Sequence, residues 1–208
     1  KDALNEYYFK VIYGNTDLDK INNDKLKSFY GLGNIESFNN GFNLVSCQFS
    51  FHYFFENRNT LDGVLNNIKN SLKLGGLFIG TCLDGLKVFE LLKKTNVLEE
   101  YEKNNLLWKI TKKYETDIFE DNEDSLGVSI DVYMESIGKT NTEYLVNFKY
   151  LEKILKDYNL QIKEIIDFEE MFDILSKKKN NNYGNALRMS EQLKKYSFLN
   201  KCFIIEKI

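Results

Sequence analysis

Short, unbroken apolar runs alternate with segments of helical periodicity, and this alternation constrains the fold more than any other feature of the chain. "YFKVIYG" (8–14), "FNLVSCQF" (42–49) and "GLFIGTCL" (76–83) are compact and rich in strand-forming residues, as expected of strands covered on both faces. Between the second and third, Leu61, Val64, Leu65, Ile68 and Leu72 fall at i, i+3, i+4, i+7 and i+11, one face of a helix. "KLGG" after it (73–76) is expected to stop that helix. Phe148, Leu151, Ile154, Leu155 and Tyr158 mark another helix, followed by the strand "LQIKEIID" (160–167). Phe168, Met171, Phe172 and Leu175 mark a third, and "NKCFIIEKI" reads as a closing strand.

The pattern changes between residues 106 and 146, where "LLWKITKKY" and "GVSIDVYME" read as an antiparallel pair joined by an acidic loop. The loop, 115–124, is expected to be a mobile surface segment, and "KKKNNNYGN" (177–185) a polar, solvated one. Alternating strands and helices with an antiparallel close predict a three-layer α/β sandwich of the Rossmann-like kind. In such open sheets ligands collect beyond the carboxyl ends of the strands. "SCQFSFHYFFE" (46–56), which holds the chain's single histidine, lies at such an end.

At 208 residues the chain reads as one domain, residues 1–208, with 106–146 as a β insertion. It opens inside a helix that leads into a strand, so upstream strands of the fold are expected to be missing. A net charge of −3 gives no general electrostatic grip on a nucleic-acid backbone, so any nucleic acid is held by a pocket. The three cysteines, Cys47, Cys82 and Cys202, lie in apolar runs without Cys or His partners. That predicts a reducing, intracellular setting and no metal site. No apolar stretch approaches the roughly 18–20 residues that cross a bilayer.

"FNLVSCQFSFHYFFE", an amphipathic helix, and then "SLKLGGLFIGTCLDG" resemble the messenger-RNA cap guanine-N7 methyltransferases, a class I family dependent on S-adenosylmethionine. "EYLVNF" and the terminal "FIIEK" match two further blocks in order, and "TCLDG" is similar to the domains of large DNA viruses. The resemblance implies transfer of a methyl group from S-adenosylmethionine to N7 of the GpppN cap. It implies capped RNA as partner, with triphosphatase and guanylyltransferase domains in the same polypeptide and a stimulatory subunit as further candidates. The implied setting is nucleus or cytoplasm, or a virion or viral factory.

By the same resemblance Gln48, Tyr53, Ser46 and Asn15 fall at positions that contact S-adenosylmethionine. His52 and Glu143 fall at positions that read the cap guanine. Leu83 stands where cellular members have proline. Asn200 stands where a tyrosine usually packs on the cap, with Tyr196 or Phe198 as substitutes. Guanine N7 is a neutral lone-pair nucleophile, so no residue is expected to act as a general base, and catalysis rests on proximity and orientation. Phe49, Phe51, Phe54 and Phe55 read as core or gate packing, and Cys47 as buried packing. Two alternatives stand beside this reading: a non-catalytic, methyltransferase-like stimulatory subunit, and a small-molecule methyltransferase of the same fold.

Overall fold

A computed structural model describes residues 41–177 and 187–208. The expected strand at 8–14, Asn15 and nearly all of the loop at 177–185 lie outside the described residues.

The first sheet has four strands in the order β1-β2-β8-β7. β1 (Phe42–Gln48) and β2 (Leu72–Leu83) run parallel, joined through a 3₁₀ turn (Phe51–Glu56) and α1 (Arg58–Ser71). β8 (Asn200–Lys207) is antiparallel to β2, and β7 (Leu160–Asp167) is antiparallel to β8. A parallel βαβ unit continued by antiparallel strands agrees with the expected Rossmann-like α/β architecture.

α1 forms where the periodicity places it. Asn57 and Thr60 build a capping box at its start, and Leu61, Leu65 and Ile68 are buried. With Leu151, Ile154 and Leu155 of α3 (Phe148–Leu155) they cover one sheet face, whose central side chains are Phe78, Phe203 and Ile205. Ile79, Cys202 and Ile204 on the other face are only half-buried. β1 likewise departs from the expected two-sided cover: Val45 and Cys47 pack on the core, whereas Leu44 is 52% exposed.

The expected glycine stop of α1 is not used. The helix ends at Ser71, and Leu72 is already extended. Gly75, at φ +73, sits inside β2, where the register with β1 shifts between Phe42 and Leu44. The helix end is satisfied from the far end of the chain: Lys207 Nζ donates to Lys69 O at 2.7 Å and to Leu72 O at 2.6 Å. A cation there answers both the unpaired carbonyls and the negative end of the helix dipole. Lys207→Met is therefore expected to lower stability by about 1–2 kcal/mol, measured as a lower denaturation midpoint at unchanged m-value.

The second sheet is larger than the expected pair. It is an antiparallel meander β3-β4-β5-β6, comprising β3 (Val97–Glu102), β4 (Asn105–Lys112), β5 (Ser129–Met134) and β6 (Lys139–Tyr144). The strands foreseen were the central ones, and those missed are its edges, "VLEEYE" and "KTNTEY". Edge strands carry charge that keeps other chains from pairing with them, so they lack an apolar signature. α4 (Phe168–Lys177) forms where the third helical pattern predicts it, and α2 (Gly85–Leu92) and α5 (Glu191–Ser197) pack on this second sheet around a core centred on Phe89, Trp108 and Ile110.

The acidic loop is fastened rather than mobile. Phe119 is buried and stacks on Phe89 at 5.0 Å, which stacks in turn on Tyr114. Asn147 Nδ2 donates to Glu120 O at 2.8 Å, and Lys153 Nζ donates to Asp121 O at 2.7 Å. An aromatic anchor and hydrogen bonds from Asn147 and Lys153 hold a segment whose composition reads as solvated.

Among the described residues the two sheets are joined by a parallel backbone bridge between Asp84 and Val146. Asp84 N also donates to Leu199 O at 2.7 Å, tying in the approach to β8. Among the described residues no helix is long and apolar enough to cross a membrane.

Candidate functional site

β1 ends in a fixed polar group. Gln48 is paired in register with Thr81. Thr81 Oγ1 donates to Gln48 Oε1 at 2.9 Å, and Gln48 Nε2 donates to Ser46 Oγ at 2.9 Å. The amide is thereby held in one orientation, with one N–H and one lone pair left to offer. Phe49 follows at φ +51, a left-handed conformation that bulky residues rarely adopt. The strain turns the chain sharply out of the strand, and the Phe49 ring is 55% exposed, edge-on to Phe168 at 6.1 Å.

The 3₁₀ turn that follows sorts its side chains by side. Phe51 and Phe55 are fully buried, and Phe51 meets Phe55, Phe78 and Phe203 at centroid distances of 5.4, 5.4 and 5.2 Å. This aromatic anchor fixes the turn, so His52 and Tyr53 face a cavity of about 410 Å³. That volume is in the range of small-ligand sites.

The cavity lies where the sheets meet. Cys82 and Leu83 come from the end of β2, and Glu143 and Asn141 from β6. Met134, Ser136 and Ile137 come from the β5–β6 hairpin, Tyr196 from α5, and Asn200 from β8. Among the described residues no lysine or arginine lines it. Among the described residues no group of three or more His, Cys, Asp or Glu side chains is placed to hold a metal ion.

His52 from the 3₁₀ turn after β1 and Glu143 from β6 reach each other, with Nε2 and Oε2 3.5 Å apart. His52 is 4% exposed, and among the described residues neither ring nitrogen has a hydrogen-bond partner. Distance alone suggests an ion pair, but burial argues against one. Desolvation lowers the imidazole to about 4 and raises the carboxyl to about 7, and both shifts favour neutral forms. Burial outweighs the attraction, so at neutral pH His52 is an uncharged ring with one donor and one acceptor.

Tyr53 lies on the His52 ring at 4.2 Å and 54°. Burial, and then the Glu143 carboxylate, raise its hydroxyl. Tyr196 is raised in the same way, first by burial and then by Glu143 and Tyr53. Leu83 forms an apolar part of the wall at 4% exposure. Asn200 is buried, and its Nδ2 donates to Tyr196 O and Ser197 O, both at 3.2 Å. Burial raises the Cys82 and Cys47 thiols, so neither is an activated nucleophile.

The structure thus brings His52, Tyr53, Leu83, Glu143 and Asn200 into one cavity. Gln48 and Ser46 do not line it; they sit exposed at the end of β1, joined to it through Phe49. Of the two aromatic substitutes, Tyr196 lines the cavity, whereas Phe198 packs on Phe172 at 5.5 Å. The β5–β6 hairpin adds Met134, Ser136, Ile137 and Asn141 to the wall, residues that the resemblance does not single out. Period-two alternation in "SIDVYM", which puts Ile130, Val132 and Met134 on one face, is the signal that points to it.

A family model described as the mRNA (guanine-N(7))-methyltransferase domain matches residues 15–200. A mimivirus protein described as a probable mRNA-capping enzyme is 32% identical over 158 residues, covering 70% of this chain and 13% of that protein. An mRNA cap guanine-N(7) methyltransferase of Drosophila melanogaster is 31% identical over 150 residues, covering 71% of this chain and 33% of that one. The chain thus spans a third or less of these relatives' lengths. A solved S-adenosylmethionine-dependent methyltransferase from Clostridium acetobutylicum matches with a TM-score of 0.48 at 18% identity, covering 81% of this chain and 59% of that one.

Proposed function

The chain belongs to the mRNA (guanine-N7)-methyltransferase family, and from that premise we propose that it methylates N7 of the guanosine cap of messenger RNA. The observation that carries the reading is the buried Glu143 carboxyl beside an uncharged His52 that has no hydrogen-bond partner among the described residues, in a cavity that no described lysine or arginine lines. Such a wall suits a flat ring that donates hydrogen bonds and gains positive charge. It does not suit an anion.

Guanine fits that description. Its N1–H and N2–H₂ edge donates, and Glu143 accepts. His52 supplies one donor or acceptor to the ring. N7 carries no proton to remove, so no residue needs to act as a base. The residues bind, orient and exclude water. As the methyl arrives the ring becomes cationic, and Glu143 stabilises that charge more than it stabilises the neutral base.

S-adenosylmethionine, when bound, supplies an electrophilic sulfonium methyl. Gln48, Ser46 and Tyr53 are the described residues that would hold it, at the carboxyl end of the parallel pair where open sheets bind ligands. The free N–H and lone pair of the pinned Gln48 amide fit a polar ligand there. Asn15, assigned to the adenine side, lies outside the described residues. Capped RNA is the proposed partner, and the mimivirus relative supports further capping domains in the same polypeptide.

The test is methyl transfer from labelled S-adenosylmethionine to GpppRNA by the intact protein. Label in N7-methylguanosine is the expected result; label in a small metabolite, with none in GpppRNA, overturns the proposal. A pH experiment probes the same site. Glu143 must ionise to hold a cation, and burial holds its carboxyl near 7. Affinity for an N7-methylated cap nucleotide is therefore expected to rise between about pH 5.5 and 7, by at most ~10-fold per pH unit for one proton released. Titration calorimetry across that range measures the slope, and Glu143→Gln should flatten it.

A further inference from the structure

We infer that Lys139, at the hairpin rim of the cavity, binds the triphosphate bridge of the capped substrate. The inference rests on the proposed function and deepens it, because it names a group for the anionic part of the cap, which the cavity wall itself does not serve.

The need arises from charge. Among the described residues the wall holds one acid, Glu143, and no lysine or arginine. A GpppN cap joins a base that becomes cationic to a bridge of three phosphates, so its two parts demand opposite surroundings. A cation for the bridge must stand beyond the wall, a sugar's length away from the base that Glu143 reads.

β6 leads to such a cation. Side chains of a strand alternate between faces, so Lys139, Asn141 and Glu143 share one face of β6. Asn141 and Glu143 line the cavity. Their partners in β5 run in the same order: Ile130 lies opposite Glu143, Val132 opposite Asn141, and Met134 opposite Lys139. Val132 and Met134 line the cavity too. Lys139 therefore continues a row that begins inside it, with its Cα roughly 13 Å along the strand from that of Glu143. Ser136 and Ile137, just before it in the hairpin, also belong to the wall, whereas Lys139 is exposed.

The lysine is held at the rim and is free to bind. Ile137 N and Gly138 N both donate to Met134 O, at 3.0 and 2.9 Å, and Gly138 adopts φ +72, so the turn before Lys139 is tight. Among the described residues no carboxylate pairs with Lys139, whereas Lys109 and Lys113 of the neighbouring strand and its extension are held by Glu99 and Asp131, both at 3.2 Å. An ammonium on a flexible stem acts as a point charge that can follow a polyphosphate.

The test measures binding to the intact protein of two probes: an N7-methylated cap dinucleotide, and the nucleoside 7-methylguanosine, which has no phosphates. Lys139→Ala should weaken the dinucleotide about 3- to 10-fold at low salt and leave the nucleoside unchanged. The salt dependence of dinucleotide binding should become shallower, as when a phosphate contact is lost. Lys139→Arg keeps the charge and should restore both affinity and salt dependence. Lys109→Ala removes the same charge from the opposite face of the sheet, beside the buried Trp108 and Ile110, and should bind as wild type does. Wild-type affinity for the dinucleotide in Lys139→Ala overturns the inference while the proposed function stands. So does a loss shared equally by the nucleoside, or matched by Lys109→Ala. Failure of the wild-type protein to bind either probe overturns the proposed function with it. Lys139 is exposed, so its variants should keep the wild-type thermal midpoint.

Discussion

Glu143→Gln is expected to lower kcat/KM on GpppRNA by roughly 10²- to 10³-fold, the scale seen when one preorganised electrostatic contact to a transition state is removed. The substitution keeps shape and hydrogen-bonding reach. It replaces a group that accepts two bonds by one that accepts on a single atom and donates from the other. The lost charge is the one that would balance a guanine becoming cationic. Stability should move the other way. Burial raises the Glu143 carboxyl from its ordinary value to about 7. A carboxyl whose folded pKa is raised contributes stability below its unfolded pKa, and that contribution is lost as pH rises through the folded value. At pH 8 the native state thus holds a desolvated carboxylate that glutamine does not impose, so Glu143→Gln should melt at a higher temperature there. At pH 5 the difference should disappear. Activity lost together with stability gained separates a functional acid from a structural one, and a melting temperature that falls at pH 8 sinks the interpretation. Unchanged affinity for S-adenosylmethionine is the accompanying control. A small-molecule methyltransferase of the same fold would not show the loss on capped RNA.

What the sequence reveals follows how locally each feature is encoded. α1 is legible because its buried face is written in Leu61, Leu65 and Ile68 within a few turns. Its end is not, because the group that closes it, Lys207, is 138 residues away from Lys69. β4 and β5 are legible as central strands, whereas β3 and β6 carry the polar sequence of sheet edges. The position of the site is legible too, since "SCQFSFHY" places polar groups at the end of a strand. Glu143 shows the limit. An acid on an edge strand has no pattern of its own, and resemblance alone singles it out. What buries it is the approach of the second sheet to His52, a tertiary event that no short window of sequence records. Phe119 and Tyr196 are similar: each is one ring in a polar segment, and its role depends on the partner it finds, Phe89 in one case and Trp108 in the other.

That dependence on the approach of two sheets makes Gly85→Ala the most damaging small substitution to expect. Gly85 is the first residue of α2, next to the bridge between Asp84 and Val146. A Cβ there would lie 2.3 Å from Val146 O and 2.6 Å from Val146 N. These are backbone atoms and cannot rotate aside. The surroundings cannot yield cheaply either. Asp84 caps α2 through Lys87 N at 3.3 Å, holds Lys201 Nζ at 3.0 Å, and through its own N–H is bound to Leu199 O. Relief therefore requires the strand ends to part, which costs about 3–5 kcal/mol, at the upper end of overpacking effects. That is a large share of the 5–15 kcal/mol that typically holds a domain folded. Gly63→Ala is the matched control: a Cβ there meets nothing within 4 Å, on the exposed side of α1. It should stabilise by about 0.5–1 kcal/mol. Chemical denaturation reads both. Among Gly85→Ala molecules that remain folded at low temperature, kcat/KM should still fall, because His52 and Glu143 stand on opposite sides of the junction and their 3.5 Å spacing depends on it. Full activity in the folded fraction would show instead that the two sheets keep their registration without the bridge.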